Sequence, residues 1–189
     1  MMSLEDEEAV RKLLNAYHCI AERYPKNQRH KSAPDFRVTT PLNDFFFLCE
    51  VKSIENKENE FLLHSRVFNI FTAKIHEALG QFMSVNSNHL VPNVITWVSK
   101  DFRIEWNKFK EFLQGHISIH KEREEKFIVD LRKISTSRIK NEAMEIDLFI
   151  LLQGNHPSFF FTGRDRRYAE KLIRVFQLDK TKMRSIKIG

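Results

Sequence analysis

Apolar and polar positions along this chain change period several times, and each change predicts an element. Ser3-Leu4-Glu5-Asp6 places a capping residue before first-turn acids. Val10, Leu14, Tyr17, Ala21 and Tyr24 then recur at helical spacing with Leu13 beside them, which predicts a helix over about 4–24 stopped at Pro25. Residues 26–33 are polar and basic and read as a loop. Asp35 to Thr39 reads as a short strand, 41–44 as a turn and 45–53 as a second strand, together a hairpin. A charged loop at 55–60 precedes a helix over about 66–83, marked by Val67, Ile70, Phe71, Ile75, Ala78, Leu79 and Phe82. Residues 92–99 are rich in β-formers and predict a third strand.

The second half is less regular. Residues 104–114 read as an amphipathic helix with Gly115 as its C-cap. Residues 118–142 mix Lys, Arg and Glu with sparse apolar positions and read as an exposed helix or a partly disordered insertion. Strands are predicted over 146–153 and 158–162 around a turn at 154–157, then a helix over 164–176 and a frayed basic end from Lys180. This order predicts an α/β fold, a mixed sheet flanked by helices. It is read as a single domain over 1–189, with a core of about 1–115 and a C-terminal strand-strand-helix extension over about 116–189.

The strand at 45–53 carries the candidate chemistry. Phe45, Phe47, Cys49 and Val51 point one way; Phe46, Leu48, Glu50 and Lys52 point the other. One face is apolar throughout, and the other turns from apolar to charged. A strand apolar on both faces is a buried central strand. Burying Glu or Lys there is costly unless each has a partner or a metal. The charges therefore mark either the strand's exit into water, as an exposed salt bridge, or a site.

Composition narrows the class. A hydrophobic fraction of 42% supports a real core, and only five Gly and five Pro argue against a long linker. The net charge of +6 is compatible with a polyanion partner without requiring one. Cys19, in the first helix, and Cys49, in the central strand, read as reduced core residues, not a disulfide framework. The acidic N-terminus lacks a signal-peptide pattern and no apolar run reaches membrane-spanning length, so a soluble cytoplasmic protein with no membrane partner is expected. His64, His76 and His89 have no metal-ligand spacing, Trp97 and Trp106 read as core, and no serine sits in a nucleophile elbow.

Pro34-Asp35 at the start of one strand, and Glu50-Val51-Lys52 at the end of the next, followed by helix and strand, resemble the PD-(D/E)xK nuclease superfamily. The resemblance covers roughly the first 100 residues. It implies a restriction-endonuclease-like αβββαβ core, cleavage or binding of nucleic acid, most often DNA, and Mg²⁺ or Mn²⁺ as cofactor. The strand that this core places before Asp35 is not evident in the sequence. The resemblance assigns Asp35 and Glu50 as metal ligands with the Val51 carbonyl, and Lys52 to orient the attacking water or stabilise charge on the phosphate.

Relatives often add a glutamate from the first helix. Glu7 is the candidate, because it precedes Val10 and Leu14 on one stripe, although a first-turn acid also favours the helix dipole. Gln81, with Lys74 seven residues before it, is the candidate polar group from the second helix. A basic series, Arg164, Arg166, Arg167, Lys171, Arg174, Lys180, Lys182, Arg184 and Lys187, with Tyr168 interleaved, suits phosphate backbones without sequence preference, or is simply a solvated face. A second copy of the chain or another protein is expected to supply specificity. The rival expectation is a catalytically silent module of the same fold that binds nucleic acid or protein.

Overall fold

The computed structural model describes residues 3–25, 32–42, 44–54, 64–100, 116–120, 126–130, 138–162 and 165–179. Helix α1 spans Leu4–Ala16, capped by the Ser3 hydroxyl, which accepts the Asp6 N–H at 3.2 Å. Strands β1 (Ile20–Arg23), β2 (Phe36–Thr39) and β3 (Phe46–Ile54) follow, then α2 (His64–Asn86) and β4 (Asn93–Ser99). Next come β5 (His116–His120), β6 (Lys126–Asp130), α3 (Arg138–Met144), β7 (Leu148–Gln153), β8 (His156–Phe161) and α4 (Arg166–Val175).

Six strands form one mixed sheet in the order β1-β2-β3-β4-β7-β8. β3, β4 and β7 are parallel, while β1, β2 and β8 run antiparallel to their neighbours. Parallel neighbours need crossovers, and α2 supplies the one between β3 and β4. Both faces are covered. Val10 and Leu14 of α1, and Leu172 and Val175 of α4, pack with Cys49, Val51, Val94 and Ile150. Phe71, Ile75, Ala78 and Phe82 of α2 pack with Leu48, Ile54, Ile95 and Trp97 on the opposite face. The expected α/β architecture is therefore what the chain adopts.

Two expectations need correction. The first helix does not continue to residue 24. It ends in a Schellman motif, with Cys19 N–H donating to Leu14 O at 3.0 Å and His18 N–H to Asn15 O at 2.9 Å. His18 takes the left-handed conformation, φ 58°, that glycine usually supplies there. The chain then turns into β1, so Cys19 and Ala21 are buried in the sheet's core and not in a helix. The element order from α1 to β4 is thereby αβββαβ, the order that the resemblance implies. Within 118–142 the described residues do not form one exposed helix. β5 and β6 form a separate two-stranded antiparallel sheet, Ile117 opposite Val129 and Ile119 opposite Phe127, and α3 starts at Arg138.

Smaller shifts are at boundaries. α2 runs longer than 66–83, and the β7–β8 turn is tighter, with Gly154 at φ 57°. β7 joins β4 directly, so strands of the C-terminal part complete the sheet begun by the first 100 residues. The helix expected at 104–114, with Trp106 and Gly115, and the basic end from Lys180 lie outside the described residues.

Candidate functional site

β3 lies between an antiparallel and a parallel neighbour, and its two ladders end at different heights. Pairing with β2 ends where Phe36 meets Cys49. Pairing with β4 continues until Ile54 meets Ser99. One edge of β3 is thus open from Glu50 onward, and side chains close it. Val51 N–H donates to Asp35 Oδ2 at 3.0 Å, and Asp35 N–H donates to Glu50 Oε2 at 3.1 Å. In an extended strand a residue's N–H and C=O leave the same edge, so the Val51 carbonyl lies on this edge as well.

The charged pair does not mark an exit into water. β3 runs on to buried Ile54, and Glu50 and Lys52 are only 2% and 5% exposed. They interrupt the apolar row between Leu48 and Ile54 on the α2 face. Lys52 Nζ lies 2.8 Å from Glu50 Oε1 and 3.1 Å from Glu77 Oε2, and donates to Gln81 Oε1 at 3.2 Å. Glu77 and Gln81 are one helical turn apart on α2, so a single side of the helix delivers both.

Burial, and then the charge of Asp35, push the Glu50 carboxyl up from 4.5 to about 7, against the pull of Lys52. A buried carboxyl beside a half-buried one is in the condition that a divalent cation relieves. Mg²⁺ takes oxygen ligands and is commonly held by one or two carboxylates with waters and phosphate. Asp35, Glu50 and the Val51 carbonyl fit such an ion. No three His, Cys, Asp or Glu residues gather as a metal-binding group among the described residues. The neighbouring thiol is no nucleophile: burial pushes Cys49 up to about 12.

The other predicted groups divide. Gln81 reaches the site through Lys52. Glu7 pairs with Arg23 of β1, and α1 packs on the face opposite Glu50 and Lys52. The buried acid of α1 is its neighbour Asp6, which accepts the Ser53 hydroxyl. Glu77 is the site residue that the sequence reading missed, although its spacing four before Gln81 was a signal. Arg37 leaves β2 on the same side as Asp35, two residues away, with its guanidinium carbon 4.2 Å from the Phe46 ring centre.

Several members of the basic series have partners, though Arg166 and Arg167 stay largely exposed. Arg167 is engaged by Asp165 at 2.9 Å, Arg166 lies 3.7 Å from Glu170, and Lys171 sits 5.0 Å over the Phe45 ring. α4 also packs on the α1 face, opposite Lys52. Arg164 lies outside the described residues, as do Lys182, Arg184 and Lys187.

A second buried polar cluster sits at the other end of the parallel strands. Asn93 N–H donates to Asp147 Oδ2 at 2.8 Å, Asn86 Nδ2 donates to Asn93 Oδ1 at 2.9 Å, and Asn93 Nδ2 donates to Glu145 O at 3.1 Å. His89 Nε2 lies 2.9 Å from Asp147 Oδ2, but it is not aligned as a hydrogen bond, so the contact is one of proximity.

Comparison with protein-family models, with curated proteins and with solved structures finds no match. The resemblance to the PD-(D/E)xK superfamily therefore rests on Pro34, Asp35, Glu50, Val51 and Lys52 and on the order of the elements around them. No helix among the described residues is long and apolar enough to cross a membrane.

Proposed function

We propose that this protein is a Mg²⁺- or Mn²⁺-dependent nuclease that hydrolyses phosphodiester bonds in DNA, acting in the cytoplasm. The observation that carries this reading is a lysine–glutamate pair buried in a core face, with Asp35 against it, at the open edge of β3. A buried ion pair is poor evidence of stability, because apolar residues of similar volume commonly serve the fold as well or better. Its presence in a row of Leu and Ile calls for another use.

Asp35, Glu50 and the Val51 carbonyl would hold the cation. When bound, it supplies charge neutralisation for the phosphate and a more acidic water. Lys52 would donate to the phosphate oxygens where negative charge accumulates. Gln81 keeps the ammonium aimed along α2. Arg37 offers a backbone-phosphate contact on the same side of β2. The α2 and β2 side of the sheet is then the DNA-facing side, and α4 contributes little.

Nicking of supercoiled plasmid tests the reading. Wild type should nick it with Mg²⁺ or Mn²⁺, chelator should stop it, and Lys52→Ala should be inactive while keeping its circular dichroism. DNA retention without cleavage in any divalent metal would leave a silent binding module instead.

A further inference from the structure

The Lys52 ammonium donates to Gln81 Oε1 at 3.2 Å and lies in ion-pair contact with Glu50 Oε1 at 2.8 Å and Glu77 Oε2 at 3.1 Å. Three oxygens within 3.2 Å already crowd this ammonium, so a phosphate oxygen takes the place of one of them. One partner must leave before it can bind substrate. Glu50 is buried in the sheet and tied to Asp35 N–H, and Gln81 is half-buried on α2. The Glu77 side chain is 65% exposed, and its carboxylate reaches Lys52 from the solvent side of the helix.

We infer that Glu77 is a resident counter-anion, a built-in stand-in for the phosphate that the substrate displaces from Lys52. A carboxylate oxygen and a phosphate oxygen present the same acceptor to an ammonium. The exchange trades one ion-pair contact for another, so it costs little when a real phosphate arrives. It also keeps the solvent-facing side of the Lys52 ammonium paired between turnovers, beside its contacts with Glu50 and Gln81. Displaced Glu77 swings into water, which its exposure permits. The inference rests on the nuclease reading for its biological meaning, but the anion exchange is measurable without cleavage.

The test uses the full chain with lysine labelled at Cε, following the Lys52 signal, assigned by its loss in Lys52→Met, during titration with inorganic phosphate. In Glu77→Gln the half-saturation concentration should fall about fivefold, the worth of roughly one modest ion pair. Glu170→Gln, which neutralises an acid on the opposite face of the sheet, should titrate like wild type. Glu77 has no such role if wild type and Glu77→Gln titrate alike, if Glu170→Gln gains as much, or if phosphate moves the Lys52 signal in none of them. Plasmid nicking reports separately. Phosphate exchange with no nicking in any divalent metal retains the Glu77 switch and removes the hydrolase; nicking with no Glu77 effect does the reverse.

Discussion

The polar cluster around Asn93 and the one around Lys52 are both buried in the same sheet, near opposite ends of its parallel strands. Around Asn93 three hydrogen bonds tie side chains to backbone: the β4 start to Asp147 ahead of β7, Asn86 at the α2 end to the Val91 carbonyl, and Asn93 to the carbonyl of Glu145. Such a cluster replaces ladder bonds where strands begin. Around Lys52 the groups are ions in contact with ions, and two acids share one edge. Asparagines are sufficient to fasten strands. Holding a carboxylate pair and an ammonium in a core face is expensive, and the fold does not need it.

Substitutions should separate the two clusters. The largest effect is expected from Lys52→Ala, which should lower plasmid nicking by at least about a hundredfold with the circular dichroism unchanged. Retained nicking in that variant would end the comparison, because both clusters would then be structural. Asn93→Ala should do the opposite. It removes the acceptor of one Asn86 N–H and the donor to the Glu145 carbonyl, so urea unfolding should show a loss of about 2 kcal/mol, while nicking by the folded fraction is kept.

A pH series sharpens the contrast. Glu50 sits at about 7 in the folded protein against an ordinary 4.5, so the folded state holds an extra proton between those values. Its contribution to stability is complete below about pH 4.5 and is lost as pH rises through about 7. In chelator the urea midpoint should therefore drift down across that window, and Mg²⁺ should flatten the drift. A midpoint that climbs through the same window in wild type, but not in Glu50→Gln, would reverse the assignment. The smallest effect is expected from Glu7→Gln. Its pair with the largely exposed Arg23 should be worth under about 1 kcal/mol by urea unfolding, and nicking should stay within about twofold. A loss of a hundredfold would return Glu7 to the site.

Much of this was legible along the chain, and the gaps have a common cause. α2 and β4 carry clear periodic stripes, and the alternation of Phe46, Leu48, Glu50 and Lys52 placed the charges on one face of β3. The end of α1 was not legible. Its left-handed C′ residue is His18, where glycine would have announced the stop, and Gln177 does the same after α4. With the stop hidden, Ala21 fell on the helical stripe by coincidence of spacing, and β1 was lost inside a helix that was too long. β5 and β6 were obscured by the charges around them, since short strands give weak periodic signals.

Within the site, Asp35, Glu50, Lys52 and Gln81 could be named through the resemblance, while Glu77 had only its spacing four before Gln81 to set it apart from other acids on a helix surface. Local sequence determined which side chains leave one face of β3 and which residues of α2 face the sheet, because those choices follow from periods of 2 and 3.6 residues. Only the tertiary structure decided that β2 stops pairing one residue short of Glu50, that α2 crosses directly over Lys52, and that the charged pair lies in a core and not at a wet strand end. Those are matters of which segments meet, and contacts between residues 15 to 29 positions apart leave no periodic trace in the chain.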